Sequence, residues 1–230
     1  MSLNNTPIRI AIDGPAASGK STTARLVAQK LGFLYVDTGA MYRVVTLAVL
    51  EKYIDPEDEQ AISKMAAKLN INQILLKSET RTLLNGRDVS LAIRMPDVNA
   101  IISQVSSHKL LRKIMIDKQR ELAARGNVVM EGRDIGTVVL PEAEIKIFMQ
   151  ASLVERAHRR WKELAAKGIE TSLEKLKSEI SRRDELDATR ENSPLKAAPD
   201  AVILDTSNLS IKEQVDFVVQ LVELKIATSK

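Results

Sequence analysis

The fold of this chain is decided by the stretch GPAASGKS, residues 14–21, which matches the pattern G-x-x-x-x-G-K-[S/T] without substitution. Glycine lets the chain turn tightly and point consecutive backbone N–H groups at phosphate oxygens. Lys20 is expected to reach the β- and γ-phosphates of a nucleotide, and the hydroxyl of Ser21 is placed to ligate Mg²⁺. The stretch therefore predicts a phosphate-binding loop.

The residues around this loop provide the context that the motif requires. The run IRIAID, residues 8–13, precedes it and is typical of a buried strand. A helix is expected to begin near Lys20 and to end at Gly32, and its dipole adds to the anion site. Its apolar positions repeat at helical spacing and are Ala24, Val27, Ala28 and Leu31.

The rest of the chain predicts an α/β protein. Five short runs are continuous and β-branched, as buried parallel strands are; they are residues 8–13, 34–37, 127–131, 145–149 and 201–205. Because helical stretches separate most of them, we predict a P-loop NTPase-type three-layer fold with a five-stranded parallel sheet. Four of the five runs end in or beside a polar residue, and the carboxyl ends of such strands form the ligand crevice.

Residues 71–90 break this pattern. Asn85-Gly86 lies between apolar runs and predicts a two-residue hairpin turn, because both positions of a type I′ turn need a positive φ. We therefore expect a small antiparallel insertion outside the parallel core.

The composition argues against several classes of protein. With no cysteine and two histidines, disulfides, thiolate metal sites and a zinc site are not expected. No apolar run is long enough for a membrane helix and the first residues lack a signal-peptide profile, so we expect a cytoplasmic protein with no membrane partner. The net charge is +4, but only 3% of residues are aromatic, so no nucleic-acid partner is expected.

A second motif, DTGAMYR at residues 37–43, follows the second predicted strand. A turn with a hydroxyl and a glycine opens a helix there, and Arg43 lies about one turn into it, which would suit an anion. An ordinary helix N-cap by Asp37 or Thr38 explains the same residues.

A third motif, EGRD at residues 131–134, ends the third predicted strand. Arg133 can bind a phosphate through two N–H groups, and Asp134 can accept a hydrogen bond from an amino group. The alternative is an ordinary exposed ion pair.

Two helices carry unusual charge patterns. In the first, Ser152-x-x-Glu155 is expected to form the cap, and the apolar side is expected to be Val154, Ala157, Trp161, Leu164 and Ala165. A cluster on another face consists of Arg156, Arg159 and Arg160. Like charges at this spacing repel unless an anion joins them, so the helix is either a mobile lid over ATP phosphates or a solvated surface.

The second of these helices is predicted to begin with a capping box, Thr171-x-x-Glu174. Its apolar stripe is Leu173, Leu176 and Ile180, and the same spacing continues through Arg183, Asp187 and Arg190. Either this half lines a polar cleft, which we favour, or Arg183 and Asp187 form a simple i,i+4 pair.

None of these motifs pairs a histidine or carboxylate with a nucleophile. A kinase that acts on a hydroxyl group needs an acceptor for its proton. A phosphate acceptor is already anionic, so its obstacle is repulsion between two polyanions, which Arg, Lys and Mg²⁺ offset. The side chains present therefore favour a phosphate acceptor.

Taken in order, five motifs resemble those of the bacterial cytidylate kinases, within the nucleoside monophosphate kinases: IAIDGPAASGKST, DTGAMYR, EGRDIGT, ERAHRRWKEL and RRDELDATRENSPL. The resemblance spans about residues 8–207. It implies in-line transfer of the γ-phosphate of MgATP to CMP or dCMP, in pyrimidine nucleotide metabolism, by a monomer whose partners are small molecules. It also implies a core of residues 1–39, 100–154 and 186–230, a monophosphate-binding subdomain of about 40–99 that holds the antiparallel insertion, and a short helical lid of about 155–185.

The same resemblance implies a role for each motif residue. ATP would be bound by Gly14, Pro15, Ala16, Ala17, Ser18, Gly19, Lys20, Ser21, Thr22, Arg156 and Arg160, with Ser21 as the metal ligand. CMP would be bound by Thr38, Gly39, Tyr42, Arg43, Ser103, Arg112, Arg133, Asp134, Arg183, Asp187 and Arg190. The acceptor phosphate would contact Arg43, Arg133 and Arg190; cytosine would contact Ser103, Arg112 and Asp134; the sugar would contact Asp187 and Arg183. The catalytic residues would be Lys20, Arg133, Arg160 and Arg190.

Three other activities stay open on the sequence. The nearest is another P-loop small-molecule kinase, for guanylate, adenylate or a non-nucleotide acceptor. A nucleotide-dependent switch normally has NKxD and D-x-x-G elements, and the sequence contains neither. A nucleic-acid-dependent ATPase would be expected to have the aromatic stacking surface that is missing here.

Overall fold

The computed structural model describes residues 7–76, 79–166 and 168–228. Its strands are β1 (Arg9–Asp13), β2 (Leu34–Asp37), β3 (Ile71–Leu76), β4 (Glu79–Leu84), β5 (Arg87–Asp88), β6 (Val128–Gly132), β7 (Ile145–Gln150) and β8 (Val202–Asp205). Its α-helices are α1 (Lys20–Leu31), α2 (Thr38–Glu51), α3 (Glu59–Lys68), α4 (Pro96–Val105), α5 (Lys109–Ala123), α6 (Leu153–Ala165), α7 (Leu173–Thr189) and α8 (Ile211–Thr228). Across these described ranges, no helix combines the length and the apolar character needed to cross a bilayer.

The five strands expected from the sequence form one sheet, in the order β2-β6-β1-β7-β8, which confirms the α/β fold. β1 is central and runs parallel to β6 and β7, and β8 runs parallel to β7. Ile10, Ala11 and Ile12 of β1 are fully buried, and because successive side chains point to opposite faces, both faces of the sheet are covered at β1. Asp13 pairs with Gly132, so the chain leaves β1 and β6 at the same edge of the sheet.

The first helix follows the sequence prediction at both ends. α1 begins at Lys20, and Gly32 ends it with a φ of 69° and a backbone N–H that donates to the carbonyl oxygen of Ala28. The helix packs on β1 and β6 and against α8. Its N-terminus therefore stays fixed at the carboxyl edge of the sheet.

The chain divides into two compact units. The described part of the first lies within residues 1–34 and 126–230, and the second comprises the described residues of 35–125. These units reflect internal packing, and they do not test the division into core, monophosphate-binding subdomain and lid that the sequence implies. The boundaries given for those parts stay a prediction.

The second unit contains the predicted antiparallel insertion. Its sheet has the order β3-β4-β5. Asn85 and Gly86 connect β4 to β5 with φ values of 50° and 86°, and Leu84 pairs with Arg87 across the turn. Both central residues have a positive φ, which confirms the type I′ hairpin. Residues 77–78, between β3 and β4, lie outside the described residues.

In the first unit, α6 and α7 pack against each other. Their shared core consists of Ala157, Leu176 and Ile180, with Leu153, Leu164 and Leu173 at its margin. The apolar stripe expected on α7 is therefore confirmed. The Ser152 cap of α6 is also confirmed, since its hydroxyl accepts a hydrogen bond from the N–H of Glu155 at 3.2 Å.

The apolar side expected for α6 is wrong in part. Val154 and Trp161 are 60% and 39% exposed, and Ala165 is also exposed. The expected Ala157 and Leu164 are confirmed, and Leu153 rather than Val154 packs toward α7.

The predicted start of α7 is also wrong, by one residue. The N-cap is Ser172, whose hydroxyl accepts a hydrogen bond from the N–H of Lys175 at 3.2 Å. Ser172 supplies the hydrogen-bond acceptor that the N–H groups of the first turn need, so Thr171 and Glu174 do not form the capping box that their spacing suggested.

Candidate active site

The phosphate loop, residues 14–21, connects β1 to α1. At one position of this loop, only glycine can adopt the backbone conformation. Gly14 has a φ of 147°, and a Cβ atom there would lie 2.0 Å from the carbonyl oxygen of Met149 in β7. Gly19 has a φ of 97° and precedes the first turn of α1. Positive φ also occurs at Ala17, at 59°. The loop therefore has the turned backbone from which N–H groups can bind an anion.

Lys20 lies inside this loop and is 5% exposed. Its ammonium donates hydrogen bonds to the carbonyl oxygen of Pro15 at 2.6 Å and to Oγ of Ser18 at 3.3 Å. Burial, and then the positive charge of Arg133, lowers the pKa of Lys20 from 10.5 to about 7. The negative charges of Glu131 and Asp13 raise the pKa but do not offset this lowering, so a bound phosphate group would add the charge that keeps Lys20 protonated.

Asp13 joins the phosphate loop to the segment that carries Arg133 and Asp134. Its carboxylate is buried and accepts hydrogen bonds from the N–H groups of Ile135 at 2.8 Å and Gly136 at 2.7 Å. Burial raises the pKa of Asp13 from 3.8 to about 6, in spite of these two bonds. The segment between Gly132 and Ile135 is thus fixed at one end by the β1–β6 pairing and at the other end by Asp13.

Four charged side chains form what we call the Arg–Asp cluster: Arg133, Asp134, Asp187 and Arg190. Nε of Arg133 donates to Oδ2 of Asp187 at 2.9 Å. Nitrogens of Arg190 lie 3.8 Å from an oxygen of Asp187 and 3.9 Å from an oxygen of Asp134. The structure therefore brings the EGRD motif and the polar end of α7 together.

The cluster is largely removed from solvent. The Asp187 side chain is 15% exposed and that of Arg190 is 13% exposed. Burial acts to raise the pKa of Asp187, but the charges of Arg133 and Arg183 outweigh it and lower the pKa below 3.8. Asp187 therefore takes part in an ion-pair network that joins α7 to the EGRD motif, and Arg133 is not part of an ordinary exposed ion pair. The polar cleft that we favoured stays a prediction.

The arginines of α6 behave differently from one another. Arg156 is paired with Asp184 at 2.5 Å and donates to the carbonyl oxygen of Ala16 at 3.3 Å. Arg160 is 36% exposed and pairs with Glu163 on its own helix at 2.8 Å. Of the two lid arginines expected to bind ATP, Arg156 therefore contacts the phosphate loop directly.

Arg159 was not assigned to the site from the sequence, although it also contacts the phosphate loop. Its guanidinium donates to the carbonyl oxygens of Ser18 at 3.2 Å and Thr206 at 2.5 Å. The signal was present, because Arg159 lies three residues after Arg156 on one face of α6.

Thr206 is a second residue that the sequence did not reveal. It is fully buried just after β8, and its hydroxyl donates to the carbonyl oxygen of Ser18 at 2.9 Å. A single threonine after a strand has no sequence signature, so only the fold identifies this contact with the phosphate loop.

Several other predicted residues lie in the second unit. Asp37 caps α2 by accepting from the N–H of Ala40 at 2.8 Å, so the N-cap reading of the DTGAMYR motif is correct for Asp37. Thr38 and Gly39 occupy the first turn of α2. Nη1 of Arg43 donates to Oδ1 of Asn99 at 2.5 Å.

Of the three residues expected to bind cytosine, Ser103 and Arg112 also lie in this unit, whereas Asp134 belongs to the Arg–Asp cluster of the first unit. The guanidinium carbon of Arg112 lies 5.3 Å from the centre of the Tyr42 ring, and Nη1 of Arg112 donates to the carbonyl oxygen of Ser106 at 3.2 Å. Ser103 is half-buried on α4. Arg112 is thus buried and held by a cation–π contact and a backbone carbonyl.

Ser21 and Thr22 are exposed on the first turn of α1. Within the described parts of the chain, no group of three or more His, Cys, Asp or Glu side chains is arranged to hold a metal ion. The exposed Ser21 hydroxyl fits the role of one oxygen ligand to an ion whose other ligands come from bound phosphates and water.

Comparison with known proteins identifies relatives over almost the whole chain. A sequence profile described as "Cytidylate kinase" matches residues 10–224. A cytidylate kinase of Bacillus cereus (strain B4264) is 52% identical over 215 residues, which covers 94% of this chain and 96% of the relative. A cytidylate kinase of Bacillus cytotoxicus is 53% identical with the same coverage.

Solved structures share the fold at much lower identity. The crystal structure of an uncharacterised protein from Eubacterium ventriosum matches with a TM-score of 0.54 at 11% identity, and the match covers 94% of this chain and 98% of that one. At this identity the similarity concerns the fold alone.

Proposed function

The chain belongs to the cytidylate kinase family, and we propose that it transfers the γ-phosphate of MgATP to CMP or dCMP, giving ADP and CDP or dCDP. The observation that carries this proposal is the position of Arg133, which directly follows Gly132, the residue of β6 that pairs with Asp13 at the start of the phosphate loop. Two cationic side chains, one at a donor loop and one at a separate cluster, suit two phosphate groups that must approach each other.

On the donor side, the loop N–H groups and Lys20 bind the triphosphate. Lys20 exchanges its contacts with Pro15 and Ser18 for oxygens of the β- and γ-phosphates, and the new negative charge keeps it protonated. Arg156 and Arg159 hold the carbonyl oxygens of Ala16 and Ser18, so they support the loop from the side of α6.

On the acceptor side, the phosphate of CMP is held by Arg43, Arg133 and Arg190. Asp187 keeps the Arg133 guanidinium in place through its 2.9 Å hydrogen bond and takes part in binding the sugar together with Arg183. The attacking phosphate oxygen is already ionised, so the reaction needs no general base. The arginines act by lowering the repulsion between acceptor and donor.

Base recognition is assigned to Ser103, Arg112 and Asp134. The cation–π contact and the Ser106 carbonyl hold Arg112 before any ligand binds. A preformed arginine lowers the entropy cost of binding cytosine, because its side chain is already ordered.

The metal is assigned to Ser21, whose hydroxyl would be one ligand. When bound with ATP, Mg²⁺ neutralises part of the charge on the transferring phosphates. Arg160 is assigned to the same ATP phosphates; it now pairs with Glu163, an exposed contact that costs little to break.

We also propose that the protein works as a monomer with small molecules as its partners, on the basis of the family resemblance. Light scattering at the concentration used for activity would give a mass near 25.5 kDa. A mass of about twice this value, independent of dilution, would contradict the proposal.

The phosphotransfer itself is tested by incubating the protein with CMP and ATP labelled at the γ-phosphate. We expect the label in CDP, with much less in inorganic phosphate. Label found only in inorganic phosphate, whether or not CMP is present, would show an ATPase instead. Lys20→Ala serves as the inactive control, and Lys30→Ala, an exposed residue near the other end of α1, serves as its matched active control.

A further inference from the structure

The antiparallel insertion has no part in the function described so far, yet one of its side chains contacts the backbone of the DTGAMYR motif. Gln73 is on β3, and its Oε1 accepts a hydrogen bond from the N–H of Asp37 at 2.8 Å. Its Nε2 donates to the carbonyl oxygen of the same residue at 2.7 Å. The carboxamide thus satisfies both backbone groups of Asp37, as a neighbouring strand would.

Asp37 is the residue at which β2 ends and α2 begins. Its carboxylate caps α2 through Ala40, and a Cβ atom at Gly39 would lie 3.2 Å from Oδ1 of Asp37. The backbone of Asp37 therefore determines where the first turn of α2 lies, with Thr38 and Gly39. Arg43 follows one turn later on the same helix.

Gln73 is itself held in a rigid frame. It pairs with Thr82 in the β3–β4 ladder, and Thr82 is buried with its N–H donated to Oγ of Ser90 at 2.9 Å. Glutamine is suited to the position because its carboxamide has a donor and an acceptor side by side. Glutamate would place an acceptor against the Asp37 carbonyl oxygen, and methionine would leave both backbone groups of Asp37 without this partner.

We propose that Gln73 is a positioning residue for the acceptor nucleotide and that the antiparallel insertion controls CMP affinity through it. The inference rests on the proposed function, in which Arg43 binds the phosphate of CMP, and on the assignment of Thr38 and Gly39, in the first turn of α2, to the CMP site. The insertion acts on binding of the acceptor, and it leaves the phosphate loop and the binding of ATP unchanged.

The test compares Gln73→Glu and Gln73→Met with Asn72→Ser. Asn72 is the adjacent residue of β3, and its side chain donates to Oδ1 of Asn70 within the insertion. We expect the KM for CMP to rise about tenfold in both Gln73 variants. Methionine leaves both backbone groups of Asp37 without this partner, and glutamate can accept from the N–H but opposes the carbonyl oxygen with a second acceptor. The KM for ATP, and kcat at saturating CMP, should stay within about twofold of wild type, as should all three constants for Asn72→Ser.

Amide exchange gives a second reading that does not depend on activity. In the Gln73 variants, the N–H groups at the start of α2 should exchange faster than in Asn72→Ser, while those of α1 should not change. Equal KM values for CMP in the Gln73 and Asn72 variants would overturn the inference. So would a parallel rise in the KM for ATP, because it would indicate a general loss of structure.

The two proposals fail in different ways. If the wild-type protein transfers no phosphate to CMP, the proposed function is wrong, whatever the variants do. If the wild type is active and the Gln73 variants bind CMP like the control, only the role of Gln73 is wrong.

Discussion

The phosphate loop and the Arg–Asp cluster lie in the same compact unit and are built in opposite ways. The loop consists of eight consecutive residues, and its shape is set by backbone angles such as the φ of 147° at Gly14. The cluster consists of side chains from two segments, and its shortest bond joins residues 54 positions apart. The loop is therefore a property of local sequence, whereas the cluster exists only because the chain folds.

This difference predicts how substitutions act on each region. In the loop, the binding groups are mainly backbone N–H groups, which remain after any substitution except one by proline, so Lys20 is the side chain on which turnover depends most. In the cluster, each side chain supports another, so one substitution changes the charge balance of its neighbours. Donor and acceptor binding should respond separately.

The largest effect is expected for Lys20→Ala. We expect kcat to fall by about 10²- to 10³-fold, because the charge on the transferring phosphate loses its main side-chain partner. The free energy of unfolding should stay the same or rise, since a buried ammonium is removed. Steady-state kinetics and urea unfolding, with Lys30→Ala as the control, measure both. A near-normal kcat would remove the loop from the active site.

The next effect is expected for Arg133→Ala, which breaks the cluster. Asp187 would stay buried without its 2.9 Å partner, so the KM for CMP should rise about 10- to 100-fold. The KM for ATP should change by less than about threefold. Arg182→Ala, at an exposed position on α7, is the matched control. If both KM values rise equally, the donor and acceptor regions are not separable.

A smaller effect, on the KM for ATP rather than the KM for CMP, is expected for Thr206→Val. This change removes the hydroxyl that donates to the Ser18 carbonyl oxygen but keeps the shape of the side chain. The hydroxyl also accepts from Nη1 of Arg159 at 3.1 Å, and its loss at a net cost of about 1 kcal/mol should raise the KM for ATP about fivefold. The KM for CMP should not change, and Thr228→Val, on the exposed end of α8, should affect neither. An effect on CMP alone would contradict the assignment of Thr206 to the donor side.

The smallest effect is a proton taken up when ATP binds. Because the pKa of Lys20 is lowered to about 7, this residue is mostly neutral at pH 8 and becomes charged beside the phosphates. Calorimetry in buffers of different ionisation enthalpy should show uptake of close to one proton at pH 8 and much less at pH 6. The uptake at pH 8 should disappear in Lys20→Met. Equal uptake at both pH values would contradict the lowered pKa.

The same pKa determines the sign of a stability change in the free protein. Between about pH 7 and 10.5 the unfolded chain binds a proton at Lys20 that the folded chain does not. The contribution of Lys20 to the free energy of unfolding therefore rises with pH across this range. Comparison of urea unfolding at pH 7 and pH 9 for wild type and Lys20→Met isolates this contribution.

The sequence predicts well the regions whose structure is determined by residues close together in the chain. The phosphate loop, the five parallel strands and the Asn85-Gly86 turn each depend on neighbouring residues, and all three are confirmed. The polar end of α7 was also visible, because Asp187 and Arg190 continue the spacing of its apolar stripe.

Other parts of the site depend on contacts between distant residues. The bonds from Asp13 to the N–H groups of Ile135 and Gly136, and from Gln73 to Asp37, leave no spacing pattern in the sequence. The prediction that Trp161 lies on the buried side of α6 was wrong for the same reason. The buried side of α6 is determined by its packing against α7, and the spacing of apolar residues does not reveal it.

The central claim is that this chain combines a general ATP site with an acceptor site for cytidine monophosphates. The most direct measurement is ADP formation from MgATP with CMP, dCMP, UMP, AMP and GMP at equal concentrations. We expect high rates with CMP and dCMP and low rates with AMP and GMP. Rates that do not depend on any of these acceptors would leave the phosphate loop in place and contradict the assignment of the acceptor.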